Sequence, residues 1–251
     1  MLRVSLCGLV VAGGLAVRPC AAQEDAPPIR AVLWVGGFAH DFDGFAKVMA
    51  DFLPRRLPVS IEVVRDGSFL ASPQADTIDL IVMNHCFESV EGVLTEPQRE
   101  KLLAMVRGGV GVVAVHASYY SFRDWSAIRE LYGADFTQHG SSEITIEVRY
   151  TDRAHPITRD LGEAFAVRSE LYESTPLAAG CHVLAVARQE GTEAEYPSVW
   201  AQEFGAGRVV TILPAHWPEA YENEEFQKLI AAGALWAAWR AAPTGTEEER
   251  P

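Results

Sequence analysis

The chain has 251 residues, 49% of them hydrophobic and 22% charged, with a formal net charge of −13. That length and apolar content suit one large α/β domain and exclude a disordered chain. The acidic balance, with no basic run anywhere, excludes a nucleic-acid partner, which would need clustered Lys and Arg.

Residues 1–22 read as a secretory signal peptide. Arg3 supplies the positive start, residues 6–17 a short apolar run, and Cys20-Ala21-Ala22 small residues before a cut at Gln23. The run falls short of the roughly 20 apolar residues of a membrane span, so no stable membrane insertion is expected after cleavage. The expected location is periplasmic or secreted. Cys7 and Cys20 leave with this segment, and Cys86 and Cys181 remain. In an oxidising compartment these two either pair or stand as buried thiols; the sequence leaves both open.

Residues 31–35 form a compact apolar run closed by Gly36-Gly37, the pattern of a buried strand. A helix follows over 42–53, with Phe45, Val48, Met49, Phe52 and Leu53 at helical spacing, and Pro54 and Pro58 are read as its end. Strands are predicted at 60–64 and 78–83. Thr95-Glu96-Pro97-Gln98 is a capping-box helix start, Gly108-Gly109 its stop, and 110–115 a fourth strand. This order predicts a mainly parallel sheet with helices on both faces. Further on, 143–149 alternates as a half-exposed strand and 183–186 is a short strand. Residues 198–204 and 208–213 form a hairpin, and Asn223 caps a last helix. One domain spans about 28–241, and 242–251 is an acidic tail expected to be disordered.

The histidines carry the chemistry. His40 follows the first strand, His85 closes the third, His116 the fourth, and His216 follows the last hairpin strand. Carboxyl ends of parallel strands share one edge, where α/β proteins build their sites. Asp41 is either a ligand contact or the cap of the first helix. His139 lies in what reads as an irregular loop, His155 before Pro156 as a turn former, and His182 at a strand start. Glu170, in Ser169-Glu170-Leu171-Tyr172, can orient an imidazole, act as a base or bind a metal. No P-loop, dinucleotide fingerprint, H-E-x-x-H or G-x-S-x-G motif is present, so no nucleotide cofactor is expected, and zinc–thiolate sites lack cysteines.

Taken together the motifs resemble the ThuA-like family, named for trehalose utilisation. The matching pieces are Gly36-Gly37 with His40-Asp41; the strand to His116-Ala117; Phe136 with His139; and His155-Pro156-Ile157-Thr158. Ser169-Glu170-Leu171-Tyr172, Pro197 to Trp200, Gly205 to Val209, Ala215-His216 and the helix ending at Trp236 complete the order. The resemblance covers nearly all of 31–239. Members often carry Asp where Ser169 stands and Gly where Ala215 stands. The resemblance implies a flavodoxin-like three-layer sandwich of the class I glutamine amidotransferase-like kind. His116 takes the place of the nucleophilic cysteine of such amidotransferases, so glutaminase chemistry by that route is not expected.

The resemblance also implies carbohydrate metabolism, with a disaccharide or ketosugar as the small-molecule partner and a hydrolase, lyase or isomerase as the enzyme type. In one reading, His116 and Glu170 transfer protons, while His40, Asp41, His139, Tyr172, His216, Tyr119 and Trp217 bind substrate. In a second, the same imidazoles and carboxylate hold a divalent metal such as zinc. The alternative to catalysis is a carbohydrate-binding or assembly module. A homo-oligomer is compatible with all three.

Overall fold

The computed structural model describes residues 27–238. The predicted signal peptide and acidic tail lie outside the described residues. Four strands are joined by crossovers: β1 (Ile29–Gly37), β2 (Val59–Val64), β3 (Leu80–Cys86) and β4 (Gly111–Val115); β1, β3 and β4 are apolar and largely buried on both faces, and β2 is the partly exposed edge. Between them lie α1 (Phe42–Arg56) and α2 (Glu96–Arg107). Then follow α3 (Ser126–Tyr132), β5 (Phe136–His139), β6 (Ile144–Tyr150), β7 (Ala164–Ser169) and β8 (Tyr172–Ser174). The chain closes with β9 (His182–Gln189), β10 (Tyr196–Phe204), β11 (Gly207–Ile212) and α4 (Glu224–Ala237).

Nine strands make one sheet in the order β2-β1-β3-β4-β11-β10-β9-β6-β7, and β5 pairs with β8 in a separate ribbon. The expectation of a mainly parallel sheet is corrected: the sheet is mixed. β2, β1, β3, β4 and β11 run parallel, whereas every pairing from β11 out to β7 is antiparallel. The cause is connection length. Turns as short as Gly205-Ala206 can join only antiparallel neighbours, and β6 alternates buried and exposed residues like a strand with one wet face.

Side chains alternate across the sheet into two hydrophobic clusters. One packs Phe45, Met49 and Phe52 of α1 with Phe226, Leu229 and Ile230 of α4 against Leu33, Val35 and Val113. The other packs Leu102 and Val106 of α2 with Ile128 and Leu131 of α3 against Trp34, Met83 and Val112. Pro54 does not end α1, as expected from the sequence, but sits inside its last turn. A proline removes one backbone bond, and the turn still closes through the Leu57 N–H donating to the Leu53 carbonyl (2.9 Å). The capping box of α2 is formed by Thr95 and Gln98.

Topology places the chemistry. Four antiparallel steps separate β11 from β7, so β7 points the same way as β1, β3 and β4 and its carboxyl end lies on their edge. At that edge Gly37 has φ +106°, and a Cβ there would overlap the Cys86 carbonyl of the neighbouring strand. Gly37→Ala is expected to destabilise the protein by about 3 kcal/mol or more, read as a lower urea midpoint with an unchanged slope.

Candidate metal and acid–base centre

Glu170 leaves the end of β7, is buried, and is ringed by imidazoles from three other loops. Its Oε2 lies 3.4 Å from His116 Nε2, and its Oε1 3.2 Å from His216 Nδ1 and 3.4 Å from His139 Nδ1. His116 Nε2 and His216 Nδ1 are 3.4 Å apart. The His40 ring sits 4.5 Å from that of His216 and 5.1 Å from that of His116. One ligand atom each from His40, His116, Glu170 and His216 falls within 4.8 Å of all the others.

Backbone carbonyls set the tautomers. The His116 Nδ1–H donates to the Leu213 carbonyl (2.8 Å) and the His40 Nδ1–H to the Phe38 carbonyl (3.2 Å). Both Nε2 atoms therefore present lone pairs to the centre, and His40 Nε2 is buried with no hydrogen-bond partner. The His139 Nδ1–H donates to the Gly140 carbonyl (2.7 Å), leaving its Nε2 as the basic atom of a side chain that is 39% exposed. Burial raises the Glu170 carboxyl, but the His116 and His216 imidazoles set against it outweigh that and hold the group below the usual carboxylate range. Burial, aided by the neighbouring His116, pushes His40 down to about 3.

The loops that deliver these groups are strained. Ala39 (φ +68°), His116 (φ +48°) and Ala215 (φ +87°) all adopt the left-handed region without being glycine, a cost of order 1–3 kcal/mol each. Ser169 anchors one of them: its Oγ accepts from the Ala215 N–H (2.9 Å) and the His216 N–H (3.3 Å). The two positions at which the chain departs from the family's frequent residues, 169 and 215, thus touch each other.

The other predicted residues separate cleanly. Tyr172 is buried and stacks on His139 with ring centroids 5.4 Å apart; burial and the Glu170 charge keep its hydroxyl protonated. Trp217 stands edge-on to His216 (4.6 Å). The carboxylate of Asp41 is engaged as the N-cap of α1, accepting from the Gly44 N–H (2.9 Å). Tyr119 is packed in the core against Trp200 (5.5 Å) and Tyr132 (6.1 Å), away from the imidazoles. His139 ends β5 rather than lying in an irregular loop, because β5 pairs with β8 and sets His139 opposite Tyr172. His85 is core: its ring packs on Trp34 (4.4 Å), its Nδ1 meets Ser121 Oγ (3.0 Å), and burial pushes it down to about 3. His155 and His182 stack on one another (5.5 Å) and not on the central imidazoles, with His182 bonded to Asp152 (2.8 Å). Cys86 and Cys181 are free thiols.

Sequence reasoning missed Ser169 as an anchor, the Leu213 carbonyl, and the wall formed by Phe38, Tyr120 and Phe136. A carbonyl has no sequence signature. Phe136 stood in the family motif, but nothing marked its contact with His139 (5.7 Å).

The family model for ThuA, described as trehalose utilisation, matches residues 30–237. The chain belongs to the ThuA family. A ThuA-like protein from Parabacteroides merdae has a similar structure, with TM-score 0.71, 18% identity, and 89% of this chain and 93% of that one covered. A ThuA-like protein from Bacteroides uniformis gives TM-score 0.69 and 17% identity, covering 88% and 95%. A β-galactosidase from Rahnella sp. R3 shares the fold over 80% of this chain but only 30% of its own, with TM-score 0.56 and 14% identity. At these identities the likeness concerns the fold. No curated protein sequence matches the chain.

Two predictions follow from the geometry of this ThuA chain. Ser169→Ala leaves two amides without an acceptor and is expected to cost about 1–3 kcal/mol, measured by urea denaturation. His85 stays neutral in the fold but takes a proton in the unfolded chain below about pH 6.5. Stability is therefore lost as pH falls from about 6.5 towards 3. In His85→Phe the slope of unfolding free energy against pH in that window should flatten by about one proton.

Proposed function

We propose that the protein is an exported enzyme of carbohydrate metabolism whose centre is a divalent cation held by His40 Nε2, His116 Nε2, His216 Nδ1 and Glu170. The observation that carries this reading is the bare, buried Nε2 of His40 in one cluster with the lone pair of His116 Nε2 and a carboxylate. Lone pairs and negative charge directed at one point repel unless a proton or a cation lies between them. Ligands about 2.1 Å from zinc stand about 3.4 Å from each other in a tetrahedron. The separation of 3.4 Å between His116 Nε2 and His216 Nδ1 fits that edge, and the two Glu170 oxygens lie 3.4 and 3.2 Å from these nitrogens. The carbonyl bonds to His116 and His40 are the outer contacts that orient metal-bound imidazoles.

When bound, such an ion polarises a sugar carbonyl or hydroxyl oxygen and acidifies water. Around it, His139 is the group placed to move a proton: it is partly exposed, beside Glu170, and basic at Nε2. Tyr172 fixes the His139 ring by stacking, and Trp217 offers a face to a sugar ring. In this assignment His116 and Glu170 hold the centre, whereas in a metal-free centre they would form an imidazolium–carboxylate pair and transfer protons themselves. The trehalose-utilisation description of the family supports a disaccharide or a ketosugar derived from one as substrate. Two helix-covered hydrophobic clusters, with the strained His116 at the turn after a central strand, support the three-layer, glutamine amidotransferase-like class. Amidotransfer itself is disfavoured: His116 occupies that turn, and burial pushes the Cys86 thiol up to about 12. Export and a periplasmic or secreted location rest on residues 1–22.

Protein purified without chelator should contain one divalent ion per chain, and His40→Ala and His216→Ala should lose it. With disaccharides and their keto forms, His116→Ala should lower turnover at least about 100-fold with an unchanged circular dichroism spectrum. Absence of stoichiometric metal, with no gain from added zinc or manganese, removes the ion. Unchanged turnover in His116→Ala removes the catalytic centre, and sugar bound but recovered unaltered favours a binding module.

A further inference from the structure

We propose that Arg123 recognises an anionic group on the substrate, so that the sugar taken by this centre is an acidic one, bearing a carboxylate or a phosphate away from the reacting atoms. This rests on the carbohydrate reading above and names the substrate class of the same site.

The chain is strongly acidic, with a net charge of −13, and its arginines are commonly answered by carboxylates. Arg30 pairs with Asp79, Arg99 with Glu91, Arg149 with Glu195 and Arg188 with Glu147. Arg123, like Arg56, Arg107 and Arg153, has no carboxylate within ion-pair distance among the described residues, and it is exposed. What sets it apart is its place beside the centre. It lies over the Tyr120 ring at 5.2 Å and the Phe136 ring at 5.5 Å. Phe136 touches His139 (5.7 Å) and Tyr172 (5.2 Å), so one ring stands between the guanidinium and His139. Tyr120 in turn meets Phe38, which is 47% exposed and whose carbonyl holds His40. A second arginine near the centre stacks in the same way with a different outcome. Arg168 lies over Trp217 (4.9 Å), beside His216, but its charge is answered by Glu143 at 3.4 Å.

Phe38, Tyr120 and Phe136 thus form an aromatic wall beside the centre, with the Arg123 guanidinium against Tyr120 and Phe136. A guanidinium held against aromatic rings rather than by a carboxylate keeps N–H groups for a ligand, and its planar fork grips a carboxylate or phosphate with two bonds. The rings beneath exclude water on one side and strengthen that charge contact. They also offer apolar faces to the C–H face of a sugar ring. A neutral sugar fills the wall and leaves the fork unmatched, so discrimination follows from the missing charge contact.

The test is calorimetric titration of the mature chain with three matched probes: methyl β-glucoside, methyl β-glucuronide and glucose 6-phosphate. Wild type should bind at least one anionic probe ten times or more tighter than the glucoside, and whichever probe it prefers identifies carboxylate or phosphate as the group. Arg123→Met keeps the apolar stem; it should erase the preference while leaving glucoside affinity and metal content as in wild type. Arg123→Lys should retain only part of it. Equal affinity for charged and neutral probes, no binding of either anionic probe, or a preference that survives in Arg123→Met overturns the inference. Because these readouts need no turnover, they separate from the tests of the centre itself. Arginine-dependent anion binding in a protein without metal or activity would leave this inference standing and remove the other.

Discussion

A carboxylate that is buried has to be answered by positive charge or by hydrogen atoms, and the groups set round Glu170 are imidazoles, which supply either one only when a proton or a cation joins them. His116, His216 and His139 all lie within 3.4 Å of its oxygens. That demand organises the molecule around it. It explains why main-chain carbonyls at Leu213 and Phe38 take up the outer ring nitrogens, since only then do the inner ones converge. It also explains why the centre is so closely enclosed: the side chains of His116 and Glu170 have almost no exposed surface, and His139 provides the accessible flank.

The strained backbone is the cost of that convergence. Ala39 precedes His40, His116 is itself left-handed, and Ala215 precedes His216. Strand ends project side chains alternately to the two faces of a sheet. Aiming three imidazoles at one point beyond the edge therefore requires a sharp local change of direction after each strand. Ser169 helps to hold the worst of these turns by accepting both amides of the 215–216 peptide segment. An aspartate at 169 and a glycine at 215, the residues the family often uses, would supply a stronger acceptor and an unstrained turn; this chain has the milder version of each.

The parallel half of the fold was legible because β1, β3 and β4 carry compact apolar runs and its helices carry caps and helical spacing. Edge placement of His40, His116 and His216 followed from it. The antiparallel half was read less well. β7 went unread because its alternating, partly polar pattern resembles a surface loop, and with it went the reason Glu170 reaches the centre. β5 and β8 are too short to carry a period, so the pairing of His139 with Tyr172 depends on tertiary packing. Tyr119 looked like a platform because it follows His116 in sequence. A tight turn over His116–Tyr119 instead rotates it into the core against Trp200. Lone residues such as Arg123 have no pattern at all, and their meaning appears only once neighbours are known.

The donors of this centre are divided between the two halves of the sheet. The imidazoles of His40, His116 and His216 hang from β1, β4 and β11, in the parallel array, while Glu170 hangs from the outermost antiparallel strand. The centre therefore works like a clasp whose two parts are sewn to different panels. Loosening the outer panel of β6 and β7, a local opening far milder than global unfolding, would undo the clasp with the parallel panel still standing. Function should then be the first property of this chain to fail under stress, ahead of its secondary structure.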